Sequence, residues 1–321
     1  NSIGKWGNVY KKLNPSTKEN NSNFMAQLLE QLINGLVLGS IYALIAVGYT
    51  MVYGIIQLIN FAHGEIFMFG AYFAFLCVTV FKLSFWIALP ISMLLCALMG
   101  VLIDFIAYRP LRNAPRLSAL ITAIGVSLVL QNLARMIWGA KWRPFPDEAK
   151  PSFLTANAIS LPGGAHLSFL DLFIIVLAVG LMIGLNRMIY LTKIGKAMRA
   201  CAQNKVAANL MGINTNRVIS VTFAIGSALG AVAGVMVGLR EVIEPTMGYY
   251  KGVAAFAAAV LGGIGNMTGA MLGGIVLGIA EALGAGYISS EYRVAISYII
   301  MMLVIIFRPS GLLGKSTATR A

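Results

Sequence analysis

Apolar runs at about 28–53, 66–81, 84–107, 117–138, 169–191, 218–239, 252–264, 268–288 and 294–307 divide this chain, and they limit its fold more than any other feature. A helix needs about 20 apolar residues to cross the hydrocarbon core of a bilayer. Most of the runs meet that length. Composition agrees, with 59% apolar and 11% charged residues against roughly 45–50% and 25% in soluble domains. The expected fold class is an all-α polytopic membrane protein. It should hold about eight to nine transmembrane segments, half-helix or re-entrant elements included.

Two places break the pattern. The 252–264 run is too short to cross a bilayer, and Gly262, Gly263 and Gly265 interrupt it before the next run. The stretch Ile55 to Ile66 is interrupted in a similar way. Non-helical backbone at membrane depth survives only inside a protein bundle, so both breaks predict half-helices or hairpins. Residues 1–24 are polar, lack the apolar core of a signal peptide and end just before Met25. They read as an N-terminal extension outside the fold. Residues 25–314 then form one membrane domain, and 315–321 a short cytoplasmic tail.

The net charge of +13 is placed for a membrane, not for nucleic acid. Three segments carry basic residues and no acid: Arg109, Arg112 and Arg116; Lys193, Lys196, Arg199, Lys205 and Arg217; and Arg308, Lys315 and Arg320. Cytoplasmic loops carry such an excess of Lys and Arg. Threading the runs from an outside N-terminus to an inside C-terminus puts all three on the cytoplasmic side.

Glycine spacing predicts close helix packing. Gly226, Gly230, Gly234 and Gly238 recur every four residues, and Gly265, Gly269 and Gly273 repeat the device. Such stripes let another backbone approach. Packing within the chain is the plain reading, and a subunit interface or moving contact the sharper one. Residues 35–44 and 274–283 share a glycine pattern, which suggests either a structural repeat or the low complexity of apolar sequence.

Nothing in the sequence assembles a catalytic centre. The histidines His63 and His166 have no metal-ligand spacing to cysteines or carboxylates. Gly311 to Ser316 resembles the end of a phosphate-binding loop, but Pro309 stands where glycine is required. Cys77, Cys96 and Cys201 are read as packing or loop residues. No metal or cofactor is expected on this chain.

Polar residues inside apolar sequence carry the functional reading. The segment Ile59-Asn60-Phe61-Ala62-His63-Gly64-Glu65 is flanked by apolar residues on both sides. An ionisable group at the centre of a membrane helix costs about 2.5–3.5 kcal/mol on insertion scales and marks a pathway or a paired contact. Asn60, His63 and Glu65 are therefore translocation-path candidates, unless they sit at a wet interface. Glu281 is a further candidate, with a buried hydrogen bond as the alternative. Asp104 is expected to pair with a nearby arginine such as Arg109. The basic loop from Thr192 to Arg217 should form one short surface helix over Lys196 to Met211, with Gly212 turning the chain away. Lipid headgroups offer the simplest partner for such a helix.

The run from Gly48 to Tyr72 through Asn60 to Glu65, together with Val260-Leu-Gly-Gly-Ile-Gly-Asn266, resembles the LivH-type permease of branched-chain amino-acid ABC importers. Within the basic loop, Val206-Ala207-Ala208-Asn-Leu-Met-Gly212 looks like the E-A-A-x-x-x-G coupling motif of importer permeases, with Val206 replacing the glutamate. The resemblance implies an inner-membrane subunit paired with a LivM-type permease, two cytoplasmic ATPase subunits that use ATP and Mg, and a periplasmic binding protein. It makes Lys196, Arg199, Lys205, Ala207, Ala208 and Gly212 the ATPase-coupling residues. A urea or short-amide permease shares the Asn60 to Glu65 segment. An ion-coupled secondary transporter is the reading from another class.

Overall fold

The computed structural model describes residues 17–112, 114–155, 159–160 and 166–314. These residues form eleven α-helices: α1 (Thr17–Ile56), α2 (His63–Thr79), α3 (Phe85–Ile103), α4 (Arg116–Trp138), α5 (Phe169–Leu191), α6 (Lys193–Gln203), α7 (Lys205–Leu210), α8 (Thr215–Arg240), α9 (Met247–Gly262), α10 (Met267–Tyr287) and α11 (Arg293–Phe307). A π-helical turn, Asp104–Tyr108, extends α3. Strands β1 (Ile159–Ser160) and β2 (His166–Leu167) pair antiparallel between α4 and α5. Helix α1 begins at Thr17, so residues 17–24 continue the helix instead of lying outside the fold. Residues 1–16 and the tail 315–321 lie outside the described residues.

Among the described residues, seven segments are long and apolar enough to cross a membrane, formed by α1, α3, α4, α5, α8, α10 and α11. Helices α2 and α9, at 17 and 16 residues, extend only about 24–26 Å at 1.5 Å per residue. Helix α2 begins within the first break marked in the sequence, and α9 ends at the second. Helix α1 lies at the centre of the bundle, buried from Val37 through Val47 on all sides.

Glycine contacts fix how the helices run. Helix α10 lies antiparallel to α1, with Gly35 against Ile279, Gly39 against Ile275 and Gly274 against Ala43. The similar segments 35–44 and 274–283 are therefore packing partners, each bare where the other approaches. Helix α8 is also antiparallel to α1, since Arg240 donates to Asn34 at 2.5 Å while Gly226 rests on Gly48. Helix α2 runs parallel to α8, with Gly230 facing His63, Gly234 facing Phe67 and Gly238 facing Ala71. The glycine stripe of α8 thus packs inside this chain.

The same contacts set the depth of α2. Its first residue, His63, stands level with Gly230 near the middle of α8, so α2 starts deep in the bundle. Helix α9 starts against it, with Gly248 and Gly252 on Gly64. From this meeting point the two short helices diverge. Helix α9 ends at the C-terminal segment, where Leu312 and Leu313 N–H donate to the carbonyls of Leu261 and Gly262 at 2.8 and 3.1 Å. Those bonds satisfy carbonyls that a helix end leaves open. Gly263 and Gly265, with φ of +104° and +94°, make the turn before α10.

The order of long helix, linker, short helix and two further helices occurs in α1–α4 and again in α8–α11. Helix α1 packs on α10, and α8 packs on α3, where Gly100 abuts Ser227 and Phe223. Because α1 and α8 are antiparallel, the two runs form an inverted arrangement of the kind many transporters use. The repeat relates α1 to α8, not residues 35–44 to 274–283.

One end of the bundle gathers the described residues of all three basic-only segments. Arg112 donates to Asn216, Lys205 donates to the Ile56 carbonyl at 3.3 Å, and the segment before the tail packs on α9. At the opposite end Arg143 and Ile243 bridge their backbones, and Arg240 lies 3.6 Å from Asp171.

Candidate functional site

The meeting of α2 and α9 places Glu65 in the first turn of α2 with 1% exposure. Its Oε1 accepts from Ser127 Oγ at 3.0 Å and from Gln131 Nε2 at 2.9 Å, both on α4. Ser127 and Gln131 are one helical turn apart, so they present donors from one face of α4. The second oxygen, Oε2, has no hydrogen-bond partner among the described residues. It rests against Gly248, where a Cβ would strike the carboxylate. Beside it lies a cavity of about 240 Å³, lined by Glu65 and by Tyr49, Phe61, Leu128, Tyr249 and Val253 among others.

The other pathway candidates fall in different surroundings. His63 is 1% exposed, lies edge-on to Tyr49 with ring centroids 4.9 Å apart, and leaves Nε2 without a partner among the described residues. Gly48 makes room for its ring, because a Cβ there would collide with it. Asn60 is 2% exposed and accepts from Tyr108 OH at 3.0 Å. A wet-interface placement of this segment is therefore corrected: these three residues are buried, because the linker after α1 turns back into the bundle. Only Glu65 lines the cavity, while His63 reaches it through Tyr49.

Glu281 on α10 belongs to a separate cluster. Tyr42 OH donates to its Oε2 at 2.8 Å, and Ser297 Oγ donates to its Oε1. Both oxygens are thus engaged, and the adjoining cavity is only about 50 Å³. The carboxylate ties α1, α10 and α11 together, which is the buried-hydrogen-bond alternative. Asp104 in the π-helical turn pairs with Arg112 at 2.6 Å and accepts from Ser220 at 2.7 Å. The Arg109 guanidinium does not bind the carboxylate and instead covers the Phe105 ring. The expected pairing with a nearby arginine is present, through Arg112 and not Arg109, because the turn carries Arg112 back over Asp104 and toward α8.

At the basic end, the segment expected to be one helix over Lys196 to Met211 is two. Helix α6 starts at Lys193, capped by Thr192 Oγ1 accepting from Gly195 N–H at 3.1 Å. Asn204 then leaves helical geometry, and its Oδ1 caps α7 by accepting from Ala207 N–H at 3.0 Å. Asparagine at that position competes with the helix backbone and starts a new helix. Gly212, at φ +82°, donates to Asn209 C=O while Ile213 N–H donates to Ala208 C=O. This closes a Schellman turn.

The elbow divides its coupling candidates between two faces. Lys196, Ala207 and Gly212 are exposed, whereas Ala208 is buried. Arg199 turns back to the Ile189 carbonyl at 2.7 Å and covers the Tyr190 ring. Lys205 reaches the end of α1, and burial, with Arg112 nearby, holds its ammonium below the ordinary lysine range. Burial likewise pushes the Cys201 thiol up, against the opposing charge of Lys205. The outward face carries Val206, Leu210 and Met211, which are 71%, 83% and 82% exposed. Sequence reasoning missed these apolar residues, although the i, i+4 pair Val206 and Leu210 on a helix outside the spans signals a partner-facing edge. A cavity of about 470 Å³ at this end joins α1, α6 and the turn before α10. Among the described residues no cluster of three or more His, Cys, Asp or Glu could hold a metal ion.

A family described as branched-chain amino acid transport system / permease component matches residues 31–305. The high-affinity branched-chain amino acid transport system permease protein BraD of Pseudomonas aeruginosa is 44% identical over 299 residues, covering 89% of this chain and 96% of the relative. The LivH protein of the same description from Escherichia coli K12 is 43% identical with the same coverage. The LivM permease protein of that organism is 24% identical over 292 residues, covering 85% of this chain and 68% of the relative. No solved structure matches the chain.

Proposed function

Because this chain belongs to the branched-chain amino acid transport permease family, we propose that it lines the path of an ATP-driven importer for leucine, isoleucine and valine in the bacterial inner membrane. The basic end of the bundle faces the cytosol, as an excess of Lys and Arg directs. A LivM-type permease completes the membrane unit, two cytoplasmic ATPase subunits use ATP and Mg, and a periplasmic binding protein delivers substrate. This chain itself binds no cofactor.

One observation carries the coupling reading: the α6–α7 elbow exposes Val206, Leu210 and Met211 at the basic end. A cluster of apolar side chains outside the spans marks an interface. The inward face of the same elbow grips the bundle, through Arg199 on α5 and Lys205 on α1. Movement of a docked ATPase would therefore reach the end of α1, and beyond it the linker to α2. Rigid-body tilting of this kind switches a bundle between two accesses.

Ala207→Trp tests the docking. Ala207 is exposed, so the larger ring leaves the fold intact but obstructs a partner groove. Uptake dependent on the binding protein should fall at least tenfold while membrane insertion is unchanged. Normal uptake by the variant would refute the coupling role. Gly212 is a poorer choice, since any side chain there is strained by its positive φ.

A further inference from the structure

We infer that the Glu65 cavity holds the α-ammonium group of the permeant amino acid, with the Glu65 carboxylate as its acceptor. This deepens the importer reading and rests on it. An ionised carboxylate can accept at both oxygens, yet only Oε1 is occupied, by Ser127 and Gln131. Those two donors lock the carboxylate plane and leave Oε2 buried against Gly248 without a hydrogen-bond partner among the described residues, while Glu65 lines the cavity. No Lys or Arg forms a salt bridge with Glu65 among the described residues. A buried charge without a partner is costly, and a cation that enters and leaves would offset that cost while it is bound.

The walls suit the rest of an aliphatic amino acid. Phe61, Ile124, Leu128 and Val253 present apolar surface to a side chain. The first turn of α9, at Gly248 and Tyr249, borders the same space, and a helix N-terminus favours negative charge, here the substrate carboxylate. One water needs roughly 10–15 Å³ of such space, so a cavity of about 240 Å³ admits a small solute. Glu281 offers the contrast, with both oxygens engaged and little space beside it. Ile124, Leu128 and Tyr249 are 47%, 53% and 50% exposed. The cavity therefore opens sideways between α4 and α9, where a second permease subunit would complete its wall.

The test uses the assembled permease–ATPase complex without binding protein, measuring equilibrium binding of labelled leucine. Competitors are 3-methylbutylamine, which lacks the carboxylate, and 4-methylpentanoate, which lacks the ammonium. The amine should compete and the acid should not. Glu65→Gln keeps the shape and should weaken leucine binding at least tenfold, while Glu281→Gln should change it less than twofold. Leu128→Trp is half-exposed and should fold normally, narrowing the cavity and weakening binding without touching Glu65. Unaltered leucine binding in either Glu65→Gln or Leu128→Trp, or competition by the acid alone, overturns the inference. If the wild-type complex accumulates leucine and Glu65→Gln accumulates it equally well, the site fails and the importer reading stands. If the wild-type complex accumulates no branched-chain amino acid, the reading itself fails.

Discussion

Asp104 is fully buried and held by Arg112 and Ser220, so its charge fastens the end of α3 to the start of α8. Hydrogen bonds to charged groups contribute about 1.5–3 kcal/mol. Asp104→Asn should lower stability by roughly that amount, read as an earlier midpoint in chemical unfolding, with Arg109→Gln nearly neutral. The sequence marks Asp104 as a paired acid because it stands one turn from a basic loop. It does not reveal which arginine returns, since a π-helical turn shifts the register. The same limit applies to Glu65. Polar residues in apolar sequence make it visible, but its donors lie 62 and 66 residues away on α4. Only the fold shows that one oxygen is occupied and the other is not.

The glycine stripe of α8 is uniform in sequence and uneven in space. A Cβ on Gly230 would lie 3.5 Å from the His63 ring, an ordinary contact, whereas one on Gly234 would overlap the Phe67 backbone carbonyl. Gly234→Ala should therefore destabilise by about 1–3 kcal/mol, as overpacking does, and Gly230→Ala should be tolerated. Thermal unfolding of the two variants in one detergent decides this, and equal losses would refute the packing described. Helix positions were legible because a membrane span must be apolar whether it faces lipid or protein. Their ends were less so. Helix α2 begins at His63, three residues before its apolar run, since the first turn is polar for reasons of site rather than of lipid. The elbow reads as one helix because its residues favour helix, and Asn204 splits it by capping a second one.

Across the whole molecule, two inverted runs of four helices meet at the first turns of α2 and α9, and the described residues of every basic-only segment lie at one end. Sequence charge locates that end, but the repeat is hidden, because α1 and α8 share geometry and no visible motif. The orientation has a direct check. Trp142 is 71% exposed at the end opposite the elbow, and Leu210 is 83% exposed on it. The native cysteines are all buried, so background labelling should be low. Trp142→Cys should react with a membrane-impermeant thiol reagent in intact spheroplasts, and Leu210→Cys only after lysis. The reverse order would invert the topology. The proposed division of labour gives this chain a gated route and leaves the energy to separate nucleotide-hydrolysing subunits. Its most direct measurement is uptake of labelled leucine by proteoliposomes holding the full complex, with and without ATP, against labelled urea. ATP-dependent accumulation of leucine and none of urea is the expected result. Leucine accumulation by this chain alone, without its ATPase subunits, would contradict it.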